Sequence, residues 1–258
     1  MASLSTQILY ALLGGILPAL LWLYFWLRED LHPEPKRLIA KAFLGGAVAI
    51  PFALAAEAVV YCAGAAAFGQ NINVPFCASN SAPLTSFASL FSPLTITLFA
   101  LIEEYAKYKA ARAFVLSGND FDEPVDAMIY LITVALGFAA FENFFFLITA
   151  FGHGATEGLV ISNLRFLGAT LLHAVSSGIV GYGIALSFYH PEKGTRLTAS
   201  GLLLGSLIHV AFNVAILYDR SAADPGNAPL FIVLLTGILL IFAFDQAKKI
   251  KRLSFTTS

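Results

Sequence analysis

The stretch LFALIEEYAKYKAAR, residues 98–112, places two adjacent glutamates inside an otherwise apolar segment. A carboxylate among apolar side chains is costly to keep charged. Ionisable groups within membrane-spanning helices therefore usually line a functional site or face a charged partner. Glu103 and Glu104 are the first candidate functional residues, and the segment around them is predicted to be one helix of a larger apolar bundle.

The whole chain is strongly apolar. It has 258 residues, of which 58% are hydrophobic and 12% charged, and its mean hydropathy is +0.78. Soluble domains carry about 25% charged residues, so this composition predicts a multi-pass protein whose surroundings are the lipid bilayer. A net charge of −1 provides no basic field for a polyanion, which argues against nucleic acid as a partner.

Seven apolar stretches are long enough to cross a bilayer, because a spanning helix needs about 20 mostly apolar residues. We therefore expect an all-α membrane protein, with a single domain over residues 1–258 and a motif-bearing core at about 88–217. The predicted spans are residues 8–27, 38–60, 88–111, 125–151, 164–189, 197–217 and 229–247.

Lysine and arginine cluster at alternate ends of these spans, which marks the cytoplasmic side. The N-terminus is then outside and the C-terminus inside, with external loops around residues 62–83, 152–163 and 218–228. Cys62 and Cys77 both fall in the first external loop. A disulfide between them would require an oxidising compartment, and the sequence leaves open whether they pair.

Rare polar residues recur in three further apolar segments. Positions four apart share one face of a helix, so Glu103 lies over Lys107 and His209 over Asn213. Estimated depths along the spans overlap, which predicts that four helices bring these side chains to one buried cavity. The segments are GFAAFENFFF with Glu142 and Asn143, LLHAVSSG with His173, and LIHVAFN with His209 and Asn213.

This set of residue types suits hydrolysis. Carboxylates that lie close together in a poor dielectric cannot all carry charge, which leaves one of them suited to take a proton from water. Lys107 can neutralise or orient the glutamate pair, while His209 and Asn213 offer donors for an oxyanion. The serine-hydrolase motif GxSxG, the zinc motif HExxH and the paired-aspartate motif GxGD do not occur in the sequence.

Two alternatives remain open from the residues alone. In the first, the chain is a zinc protease whose ligands are Glu142, His173 and His209. In the second, it is a proton-coupled transporter or channel in which the same carboxylates and histidines relay protons. Glu57 is expected at a membrane interface, and Glu123 with Asp126 is expected to begin a helix.

Five motifs together resemble the PrsW family of intramembrane proteases, which is related to the CAAX-processing (CPBP, or Abi) membrane proteases. They follow the family's order and span residues 95 to 215. The motifs are EEYAK (103–107), FDEPVDAMIY (121–130), GFAAFEN (137–143), His173, and HVAFN (209–213).

The resemblance implies a metal-independent glutamate protease without a cofactor. Glu103 would activate water with Glu104 and Lys107 in support, and His209 with Asn213 would hold the oxyanion. Glu142 and His173 would complete the site, with Asn143 as a further supporting residue. The implied substrate is a membrane-spanning anti-sigma factor, cut on its external side in the cytoplasmic membrane of a bacterium as the first cleavage of a signalling cascade.

Overall fold

The computed structural model describes residues 3–67, 93–118, 120–221 and 227–250, with backbone only at 65–67 and 218–221. These residues form α-helices joined by short connectors and 3₁₀ turns. Cys62 is disulfide-bonded, while Cys77, the other half of the predicted pair, lies outside the described residues. The helices are α1 (Leu4–Trp26), α2 (Lys36–Ala67), α3 (Pro93–Phe114), α4 (Pro124–His153), α5 (Ala155–Leu167), α6 (Ala169–Ala185), α7 (Gly194–Ser221) and α8 (Ala228–Ala247).

Six helical rods in the described part of the chain are long and apolar enough to cross a membrane. The all-helical membrane fold is thus confirmed, with six such rods where the sequence predicted seven spans. The helix that is not among them is α3, which carries the charges of the EEYAKYKAAR segment. The six rods are Leu4–Glu29, Lys36–Gly64, Pro124–His153, Ala155–Phe188, Pro191–Leu217 and Ala228–Ala247.

The predicted external loop at residues 152–163 is wrong, because α5 begins at Ala155 and continues across a bend at Gly168 into α6. The break between α4 and α5 is confined to Gly154, whose φ of 157° is readily available only to glycine. The polar residues of α5 lower its hydropathy, while its packing against α4 supports the helical conformation. Hydropathy therefore indicated a loop where the chain is helical.

Helix α4 is the centre of the bundle. Every residue from Pro124 to Ala140 is buried, and α4 packs against α6, α1 and α2. A helix that is apolar on all faces either lies in a protein core or faces lipid, and the first seventeen residues of α4 lie in the core. This central position brings the C-terminal half of α4, which carries Glu142, beside α6.

Helices α6 and α7 approach closely at small residues. A Cβ atom on Gly205 would lie 2.5 Å from the carbonyl oxygen of Ser176, so only glycine permits this contact. Gly201 and Gly205 have the GxxxG spacing that suits close packing of helices. His209, one turn after Gly205, is thereby held opposite His173, and α3 packs across both helices.

The connectors at the predicted cytoplasmic end are joined by polar contacts. Glu123 and Asp126 form a reciprocal capping box at the start of α4, which confirms the predicted helix start. His32 Nδ1 lies 2.9 Å from Glu123 Oε1, and Tyr130 donates a hydrogen bond to Glu34. Burial raises the pKa of the Glu34 carboxyl. These contacts fix the start of α2 against the start of α4.

Candidate active site

Glu104 is the most completely bonded side chain of the polar cluster and has no exposed surface. Its Oε1 accepts hydrogen bonds from Lys107 Nζ at 2.8 Å, Ser176 Oγ at 2.9 Å and His209 Nδ1 at 2.9 Å. Its Oε2 accepts one from Ser177 Oγ at 2.7 Å. With its lone pairs occupied, Glu104 is suited to be a fixed anion and not a proton acceptor for water.

Glu103 is different, although it is adjacent in sequence. Its side chain is 13% exposed, and its buried Oε2 has no hydrogen-bond partner among the described residues. That oxygen lies 3.9 Å from His173 Nδ1, 3.9 Å from His209 Nε2 and 3.6 Å from Lys107 Nζ. An orphaned buried carboxylate oxygen needs a donor or a cation beside it, and three nitrogens border this one at 3.6 to 3.9 Å.

Each histidine is held by a carboxylate on the nitrogen that faces away from Glu103. His173 Nε2 lies 2.8 Å from Glu142 Oε2, and His209 Nδ1 lies 2.9 Å from Glu104 Oε1. Because an ionised carboxylate only accepts, we assign the proton of each ring to these outer nitrogens. The inner nitrogen of His209, Nε2, then presents its lone pair towards Glu103, whereas the lone pair of His173 Nδ1 accepts from Lys107.

Lys107 supplies the positive charge at the centre of the cluster and is completely buried. Its ammonium donates to Glu104 Oε1 at 2.8 Å and to His173 Nδ1 at 2.7 Å, and it lies 4.7 Å from the centre of the Phe138 ring. One cation thus lies between two glutamates and an imidazole, which offsets the cost of burying carboxylates.

Glu142 bonds to His173 and also meets a residue that the sequence did not single out. Arg165 Nη2 lies 3.0 Å from Glu142 Oε2, and Arg165 Nε donates to Asn143 Oδ1 at 2.5 Å. Asn143 in turn donates to Thr170 Oγ1 at 2.8 Å. Asn143 therefore positions Arg165 and does not contact the Glu103–Glu104 pair directly.

Asn213 is half-buried on α7 and makes no hydrogen bond to the cluster within the part of the chain that the structure describes. Glu57 was expected at a membrane interface, yet it lies within electrostatic range of Glu142, Lys107 and Glu103. Ser176, Ser177 and Arg165 were not among the candidates. Ser176 and Ser177 lie one turn after His173 on the same helix, which was a signal for the first pair, whereas Arg165 fell at the predicted start of the span at residues 164–189.

The donor set that best fits a metal ion is Glu103, His173 and His209. One ligand atom from each lies within 4.8 Å of the other two, and a carboxylate holds the other nitrogen of each ring, as is usual for histidines that bind zinc. The predicted zinc set had Glu142 in place of Glu103. In the structure Glu142 bonds to the outer nitrogen of His173 and is not one of these three donors.

Comparison with known proteins identifies the family to which this chain belongs. The family model described as "PrsW family intramembrane metalloprotease" matches residues 34–243, which include every residue of the cluster. The chain belongs to the PrsW protease family. It is a membrane protein of a family of proteases, and its relatives indicate a peptidase.

Curated PrsW proteases show the same relationship along most of the chain. Protease PrsW of Geobacillus kaustophilus is 26% identical over 207 residues, covering 78% of this chain and 76% of the relative. Protease PrsW of Bacillus subtilis is 26% identical over 208 residues, covering 78% and 79%. Protease PrsW of Oceanobacillus iheyensis is 24% identical over 200 residues, covering 78% and 80%. No solved structure matches the chain significantly.

Proposed function

We propose that the chain hydrolyses a peptide bond of a membrane-spanning protein by means of a water molecule that Glu103 activates. The observation that carries this proposal is the orphaned Oε2 of Glu103 facing the lone pair of His209 Nε2 at 3.9 Å. Two acceptors at this distance lack a shared donor, and a water molecule that lies to one side of the pair can donate to both.

In this mechanism the Glu103 carboxylate takes a proton from water as the hydroxide attacks the scissile carbonyl carbon. The proton then passes to the leaving amine, which restores the carboxylate. His209 orients the water through Nε2, because its Nδ1 is committed to Glu104. This role differs from the oxyanion role that the motif resemblance implies for His209.

The developing oxyanion is stabilised by Lys107, whose buried ammonium borders the gap, and by Asn213, one turn beyond His209 on α7. Preorganised donors and charges of this kind supply much of the stabilisation in acyl transfer. Glu104 holds both Lys107 and His209 in place. The kinship with CAAX-processing membrane proteases that the motifs suggest is consistent with this metal-independent chemistry.

A second candidate mechanism is zinc-dependent, and the convergence of Glu103, His173 and His209 favours it, as does the description of the matching family. A bound Zn²⁺ would supply Lewis-acid polarisation of the carbonyl and activation of water. In that case His173 Nδ1 would have to release the Lys107 ammonium, which lies 2.7 Å away. That contact is the reason to prefer the metal-free mechanism.

The proposed substrate is a single-span membrane protein such as an anti-sigma factor, cut on the external side of a bacterial cytoplasmic membrane. The proposed orientation has the N-terminus outside and the C-terminus inside. The alternative function of proton-coupled transport by the same polar cluster has no observation in its favour, because the chain belongs to a family of proteases.

The test is cleavage of a panel of single-span polypeptides, including anti-sigma factors, in reconstituted vesicles. Wild type is compared with Glu103→Ala and His209→Ala. Product from wild type that both substitutions abolish would support the assignment. Cleavage that neither substitution affects would refute it.

A further inference from the structure

Arg165 is a buried cation that the mechanism above does not use. Its side chain is 16% exposed, and the Nη2 atom is buried without a hydrogen-bond partner in the described residues. Its 3.0 Å approach to Glu142 Oε2 is an ion-pair contact without hydrogen-bond alignment. A buried donor left unpaired is unfavourable, so its presence at the edge of a site points to an acceptor that arrives with a ligand.

The guanidinium of Arg165 is held in a fixed orientation. Arg165 Nε donates to Asn143, which is itself fixed by its bond to Thr170. The guanidinium carbon lies 4.1 Å from the centre of the Phe146 ring. The guanidinium is planar, and its Nε side and one of its faces are already fixed by these contacts. It therefore loses little conformational freedom when its remaining N–H group binds an acceptor.

The location of Arg165 relates it to the reaction centre. Glu142 lies between Arg165 and His173, and it bonds to the His173 nitrogen that faces away from Glu103. Glu142 and His173 thus separate Arg165 from Glu103. Since an extended chain advances about 3.3 Å per residue, Arg165 can reach a substrate residue a few positions from the scissile bond.

The charge balance indicates what kind of acceptor binds there. Glu142 already neutralises the positive charge of Arg165, so a neutral acceptor suits the free N–H better than a second carboxylate. Phe146, beneath the guanidinium, also lines an open surface cavity of about 450 Å³ between α4 and α5. A polypeptide segment lying in this cavity would meet Arg165 on its way to the cluster.

We propose that Arg165 is a substrate-binding residue whose Nη2 group donates a hydrogen bond to a main-chain carbonyl near the scissile bond. This inference rests on the proposed peptidase function and adds the residue that orients the substrate segment. A hydrogen bond to the main chain does not depend on the substrate's side chain at that position. It therefore suits a peptidase that accepts different residues there.

The test uses one fluorescent single-span polypeptide that the wild-type protein has been found to cleave. Arg165→Gln and Arg165→Lys are each compared with wild type for kcat and KM in reconstituted vesicles. We expect KM to rise about tenfold or more with kcat changed by less than about threefold, since the lost contact holds substrate and transition state alike. Lysine keeps the charge beside Glu142 and protects the fold, yet it lacks the rigid fork.

Arg112→Gln is the matched control, because Arg112 is an exposed arginine at the end of α3 and should leave both constants unchanged. Unchanged KM in the folded Arg165→Lys variant would overturn the inference. A fall in kcat at constant KM would also overturn it, by showing that Arg165 acts on chemistry through Glu142. Because wild type cleaves the chosen polypeptide, failure here is distinguishable from failure of the proposed function, which the panel reports.

An amide-to-ester replacement in the same polypeptide locates the bound carbonyl. An ester carbonyl is a weaker acceptor, so one replacement near the scissile bond should raise KM for wild type and have little further effect in Arg165→Lys. Equal effects of every replacement in both proteins would contradict a specific contact with Arg165.

Discussion

Glu104 Oε1 lies 2.9 Å from His209 Nδ1, which joins α3 to α7 across 105 residues of sequence. The same oxygen accepts from Lys107 and Ser176, so one buried carboxylate connects three helices. Glu103, its neighbour in sequence, has an unpaired oxygen instead. The two glutamates therefore have separable roles, one in holding the cluster together and one in chemistry.

Substitution of the two glutamates should separate these roles. Glu104→Gln should destabilise the fold by roughly 3 to 5 kcal/mol, because it leaves the Lys107 charge inside a broken buried pair. Glu103→Gln should leave stability nearly unchanged while kcat falls by about two to four orders of magnitude, as expected on loss of a general base. Thermal unfolding in detergent, paired with a cleavage assay, measures both. Equal destabilisation by the two variants would contradict the division.

The serines that bond to Glu104 should contribute measurably to stability. Ser177→Ala removes the 2.7 Å bond to Glu104 Oε2, and a hydrogen bond to a charged group is worth about 1.5 to 3 kcal/mol. We expect the free energy of unfolding to fall by that amount, and the midpoint of thermal unfolding to fall with it. Ser206→Ala is the control, because Ser206 is buried on α7 without a described bond to the cluster. A loss in the control as large as in Ser177→Ala would show that the effect comes from packing.

The close contact of α2 with α4 should not tolerate a methyl group. A Cβ atom on Gly46 would lie 1.9 Å from the carbonyl oxygen of Val134, which forces the helices apart. Gly46→Ala should therefore cost at least about 1 to 3 kcal/mol and reduce the yield of folded protein. Gly64→Ala, on the same helix with nothing within 4 Å of the added atom, should be neutral or slightly stabilising. Size-exclusion profiles and melting curves distinguish the two outcomes.

The pairing of His32 with Glu123 should depend on pH. The hydrogen bond and negative charge of Glu123 raise the pKa of His32 above its ordinary value of 6.5. A raised folded-state pKa means that the pair contributes its full stability below pH 6.5 and loses it as the pH rises through the folded value. Glu123→Gln keeps an acceptor for the helix cap and should return the His32 pKa towards 6.5, as followed by NMR titration. A pKa that does not move in this variant would assign the shift to another cause.

Much of the bundle and its polar cluster could be predicted from the sequence because intramembrane charge is so unfavourable. Glu103, Glu104, Glu142, His173 and His209 stood out against apolar neighbours, and the structure brings them together. The roles of Glu103 and Glu104 could not be separated at that stage. Their difference arises from α6 and α7, which surround one carboxylate with donors and leave the other open.

The site residues that were not predicted from the sequence lie where hydropathy gave the wrong helix boundaries or the wrong position in the membrane. Arg165 was placed near a loop because the polar residues of α5 resemble a connector, although Gly154 alone breaks the helix. Glu57 was assigned to an interface because its distance from the cluster depends on how α2 packs against α3 and α4. Such packing is set by close contacts such as that of Gly46 with Val134, which a single sequence does not reveal.

The most direct test of the account is turnover by the purified wild-type protein after metal removal, measured on a cleaved polypeptide together with the zinc content of the sample. The account predicts that kcat survives chelation at its original value without stoichiometric zinc, because Glu103 and the Lys107 ammonium act without a metal. Loss of turnover on chelation, restored by added Zn²⁺, would contradict it and assign Glu103, His173 and His209 as metal ligands.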